Sequence, residues 1–311
     1  MRLLQSDPVA SARMQLARFL RHIDGVRGIY RLQRLIASPS LLVRHRQVVD
    51  VPYPFTPAGS TGTPVSWRGH TGEFIGWNAW YSGHYELETL GIMDALIQKG
   101  HVAAEIGANR GYHTIFAGMC VGPTGRVFAF EPNPGPRSTL QENVTRLGWS
   151  ARVQIRDCAL GAKPGEAEFF VPLASVENQG VGGFTNNSTL PTEKIEVSVS
   201  TLDEQIAGGA CDFVKMDVQG AEAEVLRGAT ETIRRCGPRV YFEVELGEAG
   251  GHEAADILRQ AGYTVWRVQG TRRPPYVVLH PLPRHRDWRS NCIALLPAHT
   301  EATRLPRAVH G

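Results

Sequence analysis

The chain has only five cysteines in 311 residues, and they stand apart: Cys120, Cys158, Cys211, Cys236 and Cys292. No two form a C-x-x-C pair, and the number is odd. That argues against a zinc site and against a disulfide frame, and leaves buried thiols in a reducing compartment. No apolar run approaches the roughly 20 residues of a spanning helix. Met1–Pro8 lacks the charged start and apolar core of a secretory signal. A soluble, cytoplasmic protein is expected. No internal repeat of solenoid length is visible. Charge of one sign is scarce in excess: 33 Lys and Arg against 30 Asp and Glu leave +3, too little for the basic stripe that a nucleic-acid partner calls for.

What is present suffices for one large core, with 42% hydrophobic and 20% charged residues. Residues 9–36 carry Leu16, Phe19, Leu20, Ile23, Val26, Ile29, Tyr30 and Leu32 at helical spacing among arginines, with breaks near Gly25 or Gly28. They predict basic amphipathic helices laid on the core; the alternative is peripheral contact with an anionic membrane surface or an acidic partner. Residues 51–72 are rich in Pro and Gly and predict an irregular connection with room for one strand. The expected organisation is an extension over 1–72, a main domain over 73–296 and a weakly ordered tail over 297–311.

From residue 101 the pattern is regular. Strands are predicted at Val102–Ile106, Arg126–Phe130, Arg152–Arg156, Asp212–Met216 and Arg239–Glu243. Helices are predicted at Tyr112–Cys120, Gly135–Leu147, Ala221–Arg235 and Glu253–Gln260. Glu166–Val171 and Ile195–Ser200 interrupt as strands around a Gly/Asn-rich loop, and three more strands close the chain. Strands alternating with helices predict an α/β, doubly wound, mostly parallel sheet.

In Val102–Gly111 a buried strand ends in Glu105, followed by a turn with Gly107, Asn109 and Gly111 and then a helix. Such a crossover lets backbone approach a ligand and offers free N–H groups at the helix start. The turn is Gly-x-Asn-x-Gly and not the Gly-x-Gly-x-x-Gly of dinucleotide proteins, which disfavours an NAD-dependent oxidoreductase. The second strand ends in Glu131, about 20 residues on, the spacing that delivers a carboxylate to ribose hydroxyls. Asp157 ends the third strand and is placed to accept from an adenine amino group. S-adenosylmethionine fits this set: Glu105 would meet its ammonium and turn N–H groups its carboxylate.

At these residues the chain resembles the FkbM-type methyltransferase family. The matching stretches are Glu105–Thr114, Ala129–Pro134, Ala159–Gly161, Ser200–Asp203 and Asp212–Glu222, across roughly residues 85–296. The resemblance implies a Rossmann-like class I methyltransferase fold with a seven-stranded sheet and S-adenosyl-L-methionine as donor. It also implies O-methylation of a sugar, polysaccharide or natural product, and Asn133 joins the cofactor set. Two positions depart from the family pattern: Glu105 where Asp is usual, and Gln219 where Glu is more frequent.

Methyl transfer to a hydroxyl needs alignment and a proton acceptor. Asp217, after the fourth strand, is the first candidate catalytic residue, and Glu222 the second; each also suits a helix start. Lys215 is expected to pair with a carboxylate. Glu243 and His113 are weaker candidates. A divalent metal held by Asp217, Glu222 and Glu243 is possible but not demanded. Trp67, Trp77, Trp80, Tyr81, Phe184, Asn186 and Asn187 are candidates for a small-molecule or glycan acceptor, since rings and amides suit sugars. The non-enzymatic alternative is an interaction module on a cofactor-binding fold.

Overall fold

The computed structural model describes residues 12, 16, 47–58, 60, 62, 64–173, 182–184, 191–244, 249–271, 273–282, 290–299 and 305–306. The expected helices over 9–36 lie outside the described residues save Ala12 and Leu16, both helical and exposed. The chain divides into two compact units. One holds β1 (Val48–Pro52), β2 (Ser66–His70) and α1 (Phe74–Ser82), and the other holds the elements from Glu86 onward.

In this first unit β1 and β2 pair antiparallel, Val48 opposite His70. Over 51–72 the structure has one whole strand, β2, and an irregular connection, as expected; β1 starts before that stretch and ends at Pro52. Pro52 stands at the end of β1, where it costs the ladder little. Trp67 is fully buried on β2, and Gly69 makes space for its ring, since a Cβ there would stand 2.0 Å from Cη2.

From Glu86 the second unit runs α2 (Leu87–Leu96), β3 (Val102–Ile106), α3 (Tyr112–Val121), β4 (Arg126–Phe130), α4 (Pro134–Arg146) and β5 (Val153–Arg156). Next come β6 (Ala159–Leu160), β7 (Gly165–Pro172), β8 (Thr192–Ser200), α5 (Leu202–Ile206), β9 (Phe213–Met216), α6 (Glu222–Arg227) and α7 (Thr230–Cys236). The unit closes with β10 (Arg239–Val244), α8 (Ala249–Gln260), β11 (Thr264–Gly270), β12 (Val277–Pro281) and β13 (Ser290–Leu295).

Eight strands form one sheet in the order β12-β11-β13-β10-β9-β3-β4-β5. Strands β5, β4, β3, β9 and β10 are parallel, and β13 runs antiparallel between β10 and β11. The sheet has eight strands where the resemblance implied seven; the three closing strands expected from the sequence are all in it, β12 as an antiparallel edge strand on β11. The chain winds outward from β3 to β5 and returns to β9 on the other side of β3. This reversal makes the carboxyl ends of β3 and β9 the switch point where ligands bind in such sheets. Apolar runs explain the central strands: Ala103, Ala104 and Ile106 on β3 and Phe213, Val214 and Met216 on β9 are buried, as strands covered on both faces require.

The single helix expected over Ala221–Arg235 is two helices, parted at Gly228. Its backbone lies against the Gly161 carbonyl, where a Cβ would stand 2.0 Å from the oxygen. The interrupting strands pair as expected, β7 antiparallel to β8, in a separate three-stranded sheet with β6. The described residues of the expected loose tail are anchored. Leu305 is buried, the Pro306 carbonyl accepts from Leu279 N at 2.8 Å, and His299 Nδ1 accepts from Leu296 N at 3.0 Å; an apolar side chain and two backbone groups find partners there.

Gly228→Ala is expected to destabilise the fold by about 1–3 kcal/mol, the range for overpacking a tight contact. Gly165→Ala, which meets nothing within 4 Å, is the control and should change little; denaturant midpoints compare the two.

Candidate functional site

Each of the parallel strands β3, β4, β5 and β9 brings an acid to the same edge of the sheet. After β4 comes Glu131, which is buried. Its Oε2 accepts from Asn109 N at 2.7 Å and its Oε1 from Asn133 N at 2.8 Å. The carboxylate therefore ties the loop after β3 to the loop after β4, with capacity left on each oxygen for a further donor. Burial pushes its pKa up to about 7 against those two hydrogen bonds. Asn109 sits at φ 50, which a short amide side chain tolerates. Asn133 caps α4, its Oδ1 accepting from Gly135 N at 3.0 Å, so its side chain is committed to the helix start.

The turn glycines have internal reasons. Gly107 is at φ +80, and a Cβ would stand 2.1 Å from the Asp217 carbonyl oxygen. Gly111, also at φ +80, would meet Leu140 Cδ1 at 2.4 Å. They let the loops after β3 and β9, and helices α3 and α4, pack together.

Glu105 is more enclosed than the sequence suggested, at 3% exposure. It accepts from Thr114 Oγ1 at 2.5 Å. Lys215 Nζ stands 3.8 Å from Glu105 Oε1 and 3.7 Å from Asp217 Oδ2. His113 lies between two acids, Nδ1 4.0 Å from Glu105 and Nε2 3.5 Å from Glu86. Burial pushes Glu105 up to about 7, opposed by Lys215 and Thr114. Burial, then Lys215, holds His113 well below the usual histidine range, so the imidazole is neutral. Lys215 pairs with carboxylates as expected: burial works against its charge, but Asp217, Glu105, Glu86 and Glu243 together raise its pKa.

Asp217 is the half-exposed member of the group, its side chain 34% accessible. Its Oδ1 accepts from Gln219 Nε2 at 3.2 Å, and Gln219 adopts φ 53 to make the turn. Glu222 is buried and folds back on this turn, Oε1 accepting from Val218 N at 3.3 Å and Gly220 N at 3.4 Å. Burial pushes it up to about 7. Its geometry is that of a turn-holding acid. Asp157 is exposed and lines a cavity of about 450 Å³ with Pro134, Arg137, Ser138, Gln141 and Ile155.

Among the described residues no three His, Cys, Asp or Glu side chains cluster as a metal site, so the convergence of Asp217, Glu222 and Glu243 is not found. Of the aromatic candidates, Trp67 and Trp80 are buried and serve packing. Trp77 and Tyr81 stack at 5.2 Å and 19° and are half-buried. Phe184 packs edge-on against Phe169 at 5.4 Å. Asn186 and Asn187 lie outside the described residues. Among the described residues no helix is long and apolar enough to cross a membrane. The residues that sequence reasoning did not single out are Thr114, which donates to Glu105, and Glu86 and Tyr241, which are joined through Thr89.

A parallel sheet reversing between β3 and β9, with β13 antiparallel next to β10 and acids at the strand ends, defines a Rossmann-like class I methyltransferase fold. The model of the methyltransferase FkbM domain matches residues 105–265, more than half of the sequence, and the chain belongs to that family. No curated protein matches it. Similar solved structures include methyltransferase FkbM from Methylobacillus flagellatus KT, at 15% identity and TM-score 0.42, covering 91% of this chain and 58% of that one. The chain thus spans less than two thirds of that relative. A SAM-dependent O-methyltransferase from Thermotoga maritima is similar at 15% identity and TM-score 0.39, with 68% and 66% covered. Aeropyrum pernix fibrillarin with natively bound S-adenosyl-L-methionine is similar at 15% and 0.42, with 80% and 89% covered.

The raised carboxyls fix a pH dependence of stability. Between the ordinary glutamate value and about 7, the folded protein holds protons at Glu105, Glu131 and Glu222 that the unfolded chain releases. Their stabilising contribution is complete below the unfolded value and is lost as pH rises through about 7. Thermal unfolding should show a Tm that falls between pH 5.5 and 8. The fall should be smaller in Glu222→Gln, which keeps the acceptor oxygen but cannot titrate.

Proposed function

We propose that this FkbM-family methyltransferase uses S-adenosylmethionine to methylate a hydroxyl oxygen of a small molecule or glycan. The observation that carries the reading is Glu131. A buried carboxylate held by backbone N–H groups of two loops, at a parallel strand's carboxyl end, is suited to the two hydroxyls of a ribose. The donor set also suits the rest of that cofactor. Asp157 and the adjoining cavity offer an acceptor for an exocyclic amine, and Glu105 offers negative charge behind the turn for an ammonium. When bound, the cofactor supplies a methyl group activated by its sulfonium.

Asp217 is the residue we assign to the acceptor. It is the accessible carboxylate at the switch point, with Lys215 behind it and the Gln219 amide fixing one oxygen. Its accessible carboxylate would orient the acceptor hydroxyl and take the proton as the O–C bond forms. Glu222 shapes the turn that presents it.

Calorimetry with S-adenosylmethionine and S-adenosylhomocysteine tests the cofactor. The wild type should bind both, and Glu131→Ala should weaken binding by roughly tenfold or more, since a charged hydrogen-bond acceptor is worth about 1.5–3 kcal/mol. Absence of binding by folded wild-type protein overturns the reading. With an acceptor from a hydroxyl-compound screen, Asp217→Asn should lower turnover by roughly a hundredfold or more; an unchanged rate removes Asp217 from the chemistry.

A further inference from the structure

A row of polar side chains crosses three strands beneath the site. Lys215 on β9 is in register with Glu105 on β3 and with Tyr241 on β10. In a parallel sheet, side chains in register share a face. Glu105, Lys215 and Tyr241 are each at most 3% exposed. From the other side the row is closed by α3 and the start of α2. Thr114 donates to Glu105 at 2.5 Å, and Thr89 Oγ1 lies 3.1 Å from Glu86 Oε2 and 2.9 Å from the Tyr241 hydroxyl. Glu86 holds φ 44, a conformation costly for a residue with a Cβ.

The chemistry of the row is a charge problem. Glu105, Asp217 and Glu86 all face Lys215 and His113. His113 is neutral, so Lys215 supplies the row's positive charge. Two acids near one another in a dry site keep one proton between them unless a cation intervenes. Lys215 intervenes at 3.8 and 3.7 Å.

We propose that Lys215 is a positioning residue of the donor site: it holds Glu105 ionised and oriented for the ammonium of the incoming cofactor. This rests on the S-adenosylmethionine reading above. Thr114 fixes one oxygen of Glu105 and Lys215 the charge on the other. Glu105 is pushed up to about 7 even with Lys215 in place. Without that cation it keeps its proton well above neutrality and must surrender it when the ammonium arrives.

The test is calorimetric, at pH 7.5, in buffers of different ionisation enthalpy, with S-adenosylhomocysteine and 5′-methylthioadenosine as probes. The second probe has the nucleoside but no amino-acid end. In Lys215→Met, S-adenosylhomocysteine should bind at least about tenfold more weakly and release close to one proton per ligand, against a small fraction for the wild type. The affinity for 5′-methylthioadenosine should stay within about twofold, which also reports that the variant is folded. Lys215→Arg should restore most of the affinity and the wild-type proton count. Equal losses for both probes, or an unchanged proton count, overturn the proposal and leave Lys215 a packing residue. Should Lys215→Met fail to fold, the wild type decides. Its preference for S-adenosylhomocysteine over 5′-methylthioadenosine must grow as pH rises from 6 to 8, and a flat ratio overturns the proposal. A wild type that binds neither probe overturns the cofactor reading itself, and the proposal with it.

Discussion

Parallel strands deliver their carboxyl ends to one edge of a sheet, and here four of them deliver acids to it. Burying a carboxylate costs several kcal/mol unless hydrogen bonds or opposite charge offset the loss of water. Much of the local architecture follows from that cost. Glu131 is met by two backbone N–H groups, Glu222 by two others, and Glu105 by a hydroxyl and an ammonium. None of these is a full offset, because all three pKa values stand near 7. The site keeps an unmet demand for donors and positive charge, which a cationic ligand with a diol and an ammonium can meet.

The loops bear the mechanical side of the same demand. Glu131 can hold Asn109 N only if the turn after β3 crosses toward β4, and Gly107 N and Ala108 N both donate to the Phe130 carbonyl there. The same turn must pass the loop after β9 closely enough to exclude a Cβ at residue 107. The positive φ values of Gly107, Asn109, Gly111, Gln219 and Gly220 therefore cluster at the switch point. Backbone strain concentrated there is the local consequence of packing two loops against a buried charge.

How much of this was legible in the sequence depended on how local its cause was. Val102–Ile106 and Arg126–Phe130 were placed to the residue, because a short apolar run between a turn and a glycine has one reading as a strand. The spacing from the Gly107 turn to Glu131 fixed which acids would share an edge. The break at Gly228 was not legible, since the Gly161 carbonyl that enforces it is far away in sequence. Nor was the division of labour among acids. Asp217 and Glu222 differ by five positions and read alike, yet one is accessible and the other caps its own turn. Strand β1 was not read, because it is short and its partner β2 lies beyond a Pro/Gly-rich connection.

Lys215 shows why such a division matters for chemistry. A lysine in an apolar strand calls for a carboxylate partner, but its sequence alone does not say which. Register places it between an acid on the adjacent strand and an acid two residues on, so the same ammonium serves both. The two acids then differ only in what reaches them from the other side. Glu105 has a hydroxyl and a helix over it and is shut off from bulk water; Asp217 has an amide beside it and an open face. One cation thereby supports an enclosed acid fit to hold a ligand's charge and an accessible acid fit to exchange a proton. The methyl transfer proposed here, which consumes a sulfonium and releases a proton, would use both kinds of carboxylate.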